Sequence, residues 1–335
     1  MKLVSHAALA AAVLGMGAVA ASAQTLEPIR YGTNWFAQAE HGGYYQAVAD
    51  GTYAACGLDV EIVQGGPQAN NRMLLPVGRI DFYMGGNLIQ AFSAIQEDIP
   101  TVVVAANFQK DPQILMSHPG QGFDSFADLK NSEDIFIGRE GQATFYQWLK
   151  VAHDFSEEDI KPYAFNAGPF LANPKSVQQG YLTSEPYSIE KEAGFAPNVF
   201  LLADNGFDTY ATTIETRREL VEEKPEVVEC FVNASAIGWY NYLYGDNSAA
   251  NALILADNPE MSADKLEYSL GKLKEYGIVD SGDALELGIG AMTDARFESF
   301  FNKMVEAGLF PADLDYKQAY TLDFVNKKVG MELRP

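Results

Sequence analysis

The chain has 335 residues, a formal net charge of −22 from 45 acidic and 23 basic side chains, and two cysteines. Such acidity excludes nucleic acid as a partner, because phosphates require a basic protein face, and it disfavours attraction to an anionic membrane. The same charge keeps a protein soluble and monomeric, and the length suits two lobes better than one core. We therefore expect a monomer with two lobes.

The N-terminal segment has the features of an export signal. Lys2 precedes an apolar run of small residues, Ala7–Ala20, and Ala21-Ser22-Ala23 is an A-x-A cleavage site. The run is shorter than the roughly 20 apolar residues that a membrane-spanning helix needs. We predict a signal peptide over residues 1–23, cleaved after Ala23, and a mature protein in the periplasm.

The following part of the chain alternates β-rich apolar runs with helical patterns, which is typical of a parallel sheet covered by helices on both faces. Strands are predicted at Ile29–Thr33, Leu58–Val63, Ile80–Met84, Thr101–Phe108, Ile114–Ser117 and Asp134–Gly138. Helices are predicted between them at Tyr44–Cys56, Leu88–Ile95 and Thr144–Ala152.

The C-terminal part, after about Ile214, is mainly helical. Apolar residues at helical spacing predict helices at Pro225–Tyr244, Ser248–Ala256, Ser262–Tyr276 and Ala295–Ala307. No strand-rich run appears there before Ala319–Val325, so this part should pack onto a sheet formed by earlier residues.

These elements predict an α/β fold of two lobes with two chain crossings between them. The turns at residues 109–112 and 204–207 each interrupt an apolar strand, which makes them the natural crossings. The first lobe would comprise residues 24–111 and, after the second crossing, the mainly helical residues 210–335. The second lobe would be residues 112–209.

Cys56 and Cys230 both lie at apolar helix positions, where buried free thiols are common. A disulfide is the alternative, because the periplasm is oxidising. We favour two buried free thiols.

Catalytic and metal-binding patterns are scarce. His41, His118 and His153 show no H-E-x-x-H spacing, and the two cysteines do not cluster, so no zinc site is expected. There is no G-x-S-x-G elbow and no G-x-x-x-x-G-K-[ST] phosphate loop. We expect a protein that is not an enzyme and needs no cofactor.

Aromatic and polar side chains are concentrated in loops that follow predicted strands, where ligands bind in open α/β sheets. The first lobe contributes Asn34, Trp35, His41, Tyr44 and Asn87, and the second lobe contributes Glu140, Gln142, Tyr146, Glu185 and Tyr187. Trp35 offers a broad ring for stacking, and Glu185 can accept paired N–H donors. Arg139 is the only cation in these loops, whereas anionic ligands normally require arginine or several aligned amides. The pattern predicts a planar, amine-bearing heterocycle as the ligand.

Structural roles remain open for some of these side chains. Trp35 could be a core residue, His41 could cap a helix, and Glu185 could be a helix-start carboxylate favoured by the dipole.

Several motifs together resemble a known family. They are Asn34-Trp35, Glu40-His41-Gly42-Gly43-Tyr44-Tyr45-Gln46-Ala47, Gly57-Leu58-Asp59-Val60, Gly65-Gly66-Pro67, Ser184-Glu185-Pro186-Tyr187 and Asn258-Pro259-Glu260-Met261. With them the chain resembles, over nearly its whole mature length, the periplasmic substrate-binding proteins of ABC importers that include the thiamine-pyrimidine-precursor binders. The resemblance implies a two-lobed, type II-like periplasmic-binding-protein fold that closes around one ligand and docks to an inner-membrane permease. Related fungal pyrimidine synthases carry a C-C-C-F-C motif that this sequence lacks, which argues against synthase activity.

We therefore expect a solute-binding protein for a substituted aminopyrimidine, such as hydroxymethylpyrimidine or its formylated aminomethyl relative. The expected contacts are a ring sandwich between Trp35 and Tyr187, pairing with the amine and ring nitrogens by Glu185 and Asn87, and further polar contacts from Tyr44 and Gln142. Two alternatives remain. The same fold could bind riboflavin, an aromatic acid, a sulfonate or nitrate, or it could serve a periplasmic enzyme or sensor without transport.

Overall fold

The computed structural model describes residues 25–66 and 69–335. The predicted signal peptide and Pro67 of the glycine-rich turn lie outside the described residues. Among the helices of the described part, none combines the length and the apolar character that crossing a membrane requires.

The regular elements alternate along the chain. The strands are β1 (Glu27–Gly32), β2 (Leu58–Val63), β3 (Phe82–Asn87), β4 (Thr101–Phe108), β5 (Gln113–Ser117), β6 (Ile135–Ile137), β7 (Ile160–Pro162), β8 (Val177–Tyr181), β9 (Asn198–Leu201) and β10 (Ala211–Arg217). The helices are α1 (Gly42–Ala49), α2 (Thr52–Ala55), α3 (Leu88–Gln96), α4 (Arg139–Ala143), α5 (Phe145–His153), α6 (Gly168–Ala172), α7 (Glu185–Ala193), α8 (Arg218–Glu223), α9 (Pro225–Tyr244), α10 (Ser248–Asp257), α11 (Ala263–Glu275), α12 (Ala284–Leu287) and α13 (Asp294–Glu306). Short 3-10 helices lie at Ala39–His41, Asn71–Leu74, Phe126–Asn131, Ala203–Asn205, Tyr316–Ala319 and Met331–Leu333.

The strands form two sheets, with orders β2-β1-β3-β10-β4 and β7-β6-β8-β5-β9. We call the first sheet with its helices lobe 1 and the second lobe 2. The chain passes to the second sheet after β4 and returns after β9, which confirms the predicted α/β fold with two crossings. Both sheets are mixed rather than purely parallel, because β10 and β5 each run antiparallel to both of their neighbours.

Local differences from the predicted elements have identifiable causes. The helix predicted over 44–56 is split into α1 and α2 at Gly51, whose backbone is left-handed (φ 75°). The strand predicted at Ala319–Val325 is replaced by a 3-10 helix and a single bridge from Tyr320 to Val103. The strands β7 and β10 were not predicted, and no bounds were predicted for β8 and β9. β7 is three residues long and ends in a proline, so the sequence shows no alternating pattern there.

The glycine pair at the start of α1 allows close packing onto α9. A Cβ on Gly42 would overlap the ring of Tyr242, and a Cβ on Gly43 would overlap the indole of Trp239. Farther along α9, Phe231 stacks on Phe82 of β3 with ring centroids 4.0 Å apart. The core of lobe 1 therefore fixes α1, and with it the residues that immediately precede the helix.

Cys56 and Cys230 form a disulfide, with Cα atoms 5.9 Å apart. The expectation of two free thiols is therefore wrong. The physical reason is that α2 packs against α9, which brings the two side chains together. The bond joins positions 174 residues apart, and closing so long a loop restricts the unfolded chain by an amount worth about 5 kcal/mol in the entropic treatment.

The two crossings are tied together by side chains of lobe 1 and of the crossings themselves. The Arg296 guanidinium donates to the carbonyl of Gln109 in the first crossing and to the Asp208 carboxylate in the second, at 3.0 Å for Asp208. Lys110 and Asp204, one from each crossing, form an ion pair of 3.0 Å. The hinge region is thus held by charged hydrogen bonds.

Candidate ligand-binding site

A cavity of about 660 Å³, counted out to its opening to solvent, lies between the lobes at the ends of strands. Lobe 1 supplies the loop after β1, the end of β3 and the first crossing. Lobe 2 supplies the start of α4, the end of β8 and the start of α7. Because loops from both lobes converge there, side chains of lobe 1 and lobe 2 can contact a ligand from opposite sides. Such an arrangement is typical of α/β binding sites.

The structure brings six of the sequence-predicted residues together around this cavity: Asn34, Trp35, His41, Asn87, Glu140 and Glu185. Asn87 is also the N-cap of α3, where its side-chain oxygen accepts a hydrogen bond from the Ile89 amide at 3.1 Å. The cap engages one lone pair of that oxygen, and the Asn87 NH2 group can offer N–H donors to the cavity.

Tyr44 and Tyr146 lie elsewhere, in the cores of the two lobes. Tyr44 is fully buried, its hydroxyl accepts a hydrogen bond from Asn107 at 2.6 Å, and its ring packs on Tyr31 with centroids 4.5 Å apart. Tyr146 is also fully buried, and its hydroxyl donates to the carbonyl of Ser156. Both predictions are corrected: the apolar face of each helix carries the tyrosine into the core rather than toward the cavity.

Gln142 and Tyr187 are also outside the cavity lining. The Gln142 amide folds back and donates to the carbonyl of Ile137 at 3.0 Å. Tyr187 lies on the outer side of α7, where its hydroxyl donates to Asp264 of lobe 1. The sequence predicted that Trp35 and Tyr187 would sandwich the ligand ring, and the structure does not place Tyr187 opposite Trp35.

Trp35 faces aromatic residues of lobe 2 that sequence reasoning missed. Its ring lies nearly parallel to that of Tyr163, with centroids 6.2 Å apart and an interplanar angle of 21°. Phe165 meets Trp35 edge-on at 5.9 Å. Both lobe 2 rings follow β7, a strand with no sequence signal of its own, so nothing in the sequence marked them.

Two buried carboxylates of the cavity were also missed. Glu40 is 1% exposed and immediately precedes His41 in a 3-10 helix, and Asp111 is 2% exposed in the first crossing. Asp111 Oδ1 accepts a hydrogen bond from the Gln113 amide at 3.0 Å. The sequence places Asp111 in the predicted crossing turn, close to the cleft between the lobes. Turns are ordinarily exposed to solvent, so this position did not indicate a buried carboxylate.

The cavity lining is strongly acidic. Four carboxylates line it, from Glu40, Asp111, Glu140 and Glu185, and among the described lining residues there is no lysine or arginine. Arg139 is exposed on the surface of lobe 2. Negative charge gathered in a water-poor site disfavours an anionic ligand and favours a cation or a donor of N–H groups.

Burial shifts the protonation of these acids. Burial raises the pKa of Asp111 to about 7 and, against the hydrogen bond from Asn34, raises the pKa of Glu140 to about 7. Burial also raises the pKa of Glu40. The cavity therefore holds acids that are partly protonated near neutral pH and that can ionise when a donor group arrives.

Hydrogen bonds join the lobes across the cavity. Asn34 of lobe 1 donates to Glu140 of lobe 2 at 3.1 Å, and the Thr183 hydroxyl of lobe 2 donates to Glu40 of lobe 1. A Cβ on Gly86 would overlap the Glu140 carboxylate, so only glycine permits this approach. The lobes are thus in mutual contact around the cavity.

Some polar atoms at the cavity have no partner within the part of the chain that the structure describes. They are Oε2 of Glu40 and Nδ1 of His41, and both residues are buried. Burial lowers the pKa of His41 to about 3, so its ring is neutral at pH 7. Buried polar atoms are normally paired, so a neutral imidazole and a carboxylate oxygen are available for a ligand.

Glu185 is oriented by its own lobe. Its two carboxylate oxygens accept hydrogen bonds from the Tyr163 hydroxyl at 3.0 Å and from the Tyr181 amide at 2.7 Å. Each carboxylate oxygen has a further lone pair, so Glu185 can still accept from a ligand.

Across residues 25–66 and 69–335, no cluster of three or more His, Cys, Asp or Glu side chains has the arrangement of a metal site.

Comparisons with known proteins identify one matching family model and two similar small-molecule-binding proteins. A family model described as NMT1/THI5 like matches residues 38–249. Riboflavin-binding protein RibY from Chloroflexus aurantiacus is 28% identical over 313 residues, which cover 90% of this chain and 87% of that protein. A formylaminopyrimidine-binding protein from Halalkalibacterium halodurans is 26% identical over 239 residues, covering 69% of this chain and 71% of that protein.

Solved structures share the fold. The ligand-binding component of an ABC-type import system from Staphylococcus aureus has a TM-score of 0.63 and 14% identity, covering 91% of this chain and 99% of that chain. A Candida albicans protein with the generic periplasmic binding protein fold has a TM-score of 0.64 and 14% identity, covering 88% of this chain and 96% of that chain. The two-lobed periplasmic-binding-protein fold predicted from sequence is confirmed.

Proposed function

Because the chain belongs to the NMT1/THI5-like family, we propose that it is the periplasmic solute-binding component of an ABC importer. Two lobes that meet around one cavity bind a small molecule by hinge closure, which supports this role. Cleavage of the export signal after Ala23 and delivery of the ligand to an inner-membrane permease are parts of the same proposal. Binding without turnover is expected, although the fold also occurs in the desulfurization enzyme DszB.

The acidic lining of the cavity is the observation from which we infer the class of ligand. Four carboxylates and a neutral histidine surround the cavity, and no described cationic side chain lines it. A sulfonate or nitrate would be repelled there, whereas an exocyclic amine donates N–H groups to carboxylate oxygens. We infer that the ligand is a substituted aminopyrimidine, such as hydroxymethylpyrimidine or its formylated aminomethyl relative.

The aromatic pair supplies a slot for the pyrimidine ring. A flat ring between two others needs roughly 7 Å, twice the ~3.5 Å contact distance, and the Trp35 and Tyr163 centroids are already 6.2 Å apart. A small separation of the lobes would therefore admit the ring. In this arrangement Glu185 accepts from the amine, and the Asn87 amide donates to a ring nitrogen.

A flavin is the second candidate. Sequence similarity to a riboflavin-binding protein extends over more of the chain than similarity to the formylaminopyrimidine-binding protein. The acidic lining favours the pyrimidine, since a flavin ring presents mainly hydrogen-bond acceptors and would need the cavity acids protonated.

The test is mass spectrometry of any small molecule retained after gentle purification, followed by a thermal-shift panel of aminopyrimidines, flavins and sulfonates. A true ligand at a hundred times its Kd should stabilise the protein by about 2.7 kcal/mol, a shift of roughly 4 °C for a chain of this length. A flavin as the single stabilising compound would replace the pyrimidine assignment. A sulfonate as the single stabilising compound would contradict the inference that the acidic lining disfavours anionic ligands.

A further inference from the structure

A second chamber adjoins the cavity. It has about 880 Å³ counted out to its opening, and its lining includes Tyr163, Phe165, Glu185 and Lys265. Glu185 lines both spaces, and Tyr163 stacks on Trp35 of the cavity lining. The aromatic pair and one carboxylate therefore form the boundary between two neighbouring compartments, and a ligand ring that enters between Trp35 and Tyr163 reaches that boundary.

Phe165 is held in an unusual backbone conformation at this junction. Its φ is 59°, in the left-handed region, which costs a bulky residue on the order of 1–3 kcal/mol. The conformation places the ring against Trp35 and Phe36 of lobe 1, each with centroids 5.9 Å away. Strain of this kind is concentrated at ligand clamps, and here it builds an aromatic wall of the chamber from a lobe 2 residue.

Lys265 on α11 faces the same wall. The residue is only 7% exposed, and its ammonium lies 5.0 Å from the centre of the Phe165 ring. Within the described residues that ammonium forms no ion pair and no hydrogen bond, whereas Lys272 on the same helix is paired with Glu275 at 2.8 Å. The ammonium is also within electrostatic range of Glu40. Its three N–H donors have no hydrogen-bond acceptor among the described residues, so they are available to oxygen atoms of a ligand.

The net charge of the chamber lining determines which oxygen-bearing group of a ligand can bind beside Lys265. Glu185, Glu192 and Glu260 line it together with Lys265, so negative charge exceeds positive charge among the described lining residues. A phosphate or carboxylate group would meet net repulsion, whereas a hydroxyl or carbonyl oxygen can accept from the ammonium without it.

We propose that this chamber is a second subsite of the binding cleft, which receives an uncharged side chain of the ligand carrying hydroxyl or carbonyl oxygens. Lys265 donates to those oxygens, and Phe165 packs against the carbon atoms of the side chain. The proposal rests on the proposed function and deepens it. The ligand has a flat, donor-bearing ring in the acidic cavity and a neutral, acceptor-bearing side chain in the chamber.

The test compares ligands that share a ring and differ in side chain. The probes are hydroxymethylpyrimidine against its formylated aminomethyl relative, and lumichrome against riboflavin, titrated calorimetrically into the wild-type protein. The expected result, in the pair whose ring binds, is at least tenfold tighter binding of the member with the longer, oxygen-bearing side chain. Lys265→Met should reduce that preference to less than threefold while leaving the affinity for the shorter member within threefold.

Two further variants separate the subsite from general damage. Lys272→Met, on the same helix, should behave as wild type. Phe165→Asn should also lose the preference while folding normally, because asparagine tolerates the left-handed backbone. Equal weakening of both pair members by Lys265→Met, or no change in the preference, would overturn the subsite while the importer role stands. Failure of the wild-type protein to bind any of the four probes would overturn the proposed ligand class and the subsite with it.

Discussion

Neutralising Asp111 should stabilise the unliganded protein at alkaline pH. Burial raises the pKa of this carboxyl from 3.8 to about 7, and its side chain is 2% exposed. Each pKa unit corresponds to about 1.4 kcal/mol, so the ionised group costs the folded state on the order of 4 kcal/mol. Asp111→Asn removes the charge and keeps the oxygen that accepts from the Gln113 amide at 3.0 Å.

The sign of the effect follows from the raised pKa. The favourable contribution of protonated Asp111 is fully present below the unfolded pKa of 3.8 and is lost as the pH rises through about 7. The stability of the variant relative to wild type should therefore differ by less than ~1 kcal/mol at pH 4 and approach ~4 kcal/mol at pH 8. For a chain of this length the difference at pH 8 corresponds to roughly 6 °C in Tm.

The assay is thermal unfolding of both proteins without ligand from pH 4 to pH 8, with the exposed Asp313→Asn as the matched control. The control should give no pH-dependent difference. A variant less stable than wild type at pH 8, or a difference that does not change with pH, would show that the buried, ionised Asp111 does not destabilise the folded protein.

Three other outcomes are expected. Replacing Cys56 and Cys230 together by serine should lower stability by about 2–5 kcal/mol, measured by urea unfolding of the double variant against wild type; equal midpoints would show that the disulfide contributes nothing. Gly86→Ala should displace Glu140 and weaken hydroxymethylpyrimidine binding about tenfold, an order of magnitude set by one charged hydrogen bond, while Gly271→Ala, whose Cβ meets open space, should not; unchanged affinity would place Glu140 outside the site. The affinity for an amine-bearing ligand should fall as the pH drops from 8 to 5.5, because the pKa of Glu140 is about 7 and its ionised form adds negative charge to the cavity that holds the amine on Glu185; a pH-independent calorimetric Kd would contradict this.

The strand ends were predictable because ligand positions in α/β sheets follow from topology. Asn34 and Asn87 come directly after a β-rich run and at the end of another, so their convergence needed only the order of the elements. The same reasoning brought Glu140 and Glu185 to the facing lobe. What the sequence predicted well was therefore the set of loops, since loop position depends on the alternation of strands and helices.

The orientation of side chains on helices was less predictable. Tyr44 and Tyr187 both lie near helix starts in the right loops, but one points into the core and the other to the outer rim. Neighbouring helix positions differ by about 100°, so a residue in the right turn can still face away from the cavity. Tyr163, which takes the place assigned to Tyr187, follows a three-residue strand that leaves no periodic pattern.

Burial of acids and pairing of distant cysteines were also beyond the sequence. Glu40 and Asp111 belong to residue types that are almost never fully buried without a partner, so composition alone assigns them to the surface. The Cys56–Cys230 bond depends on how α2 packs against α9, and helical spacing along one segment carries no information about the other.

We propose that the interlobe cavity binds an amine-bearing heterocycle on Trp35. Calorimetric titration of hydroxymethylpyrimidine and its formylated aminomethyl relative into wild type, Trp35→Ala and the surface control Tyr276→Ala tests it most directly. We predict binding of one molecule per chain to wild type and control. Trp35→Ala should lose about 1–3 kcal/mol of binding free energy, the usual worth of stacking a flat base on an aromatic ring, while its Tm stays close to wild type. Absence of binding to wild type would show that the cavity does not take this class of ligand, and equal affinity in Trp35→Ala would show that the ligand does not stack on Trp35.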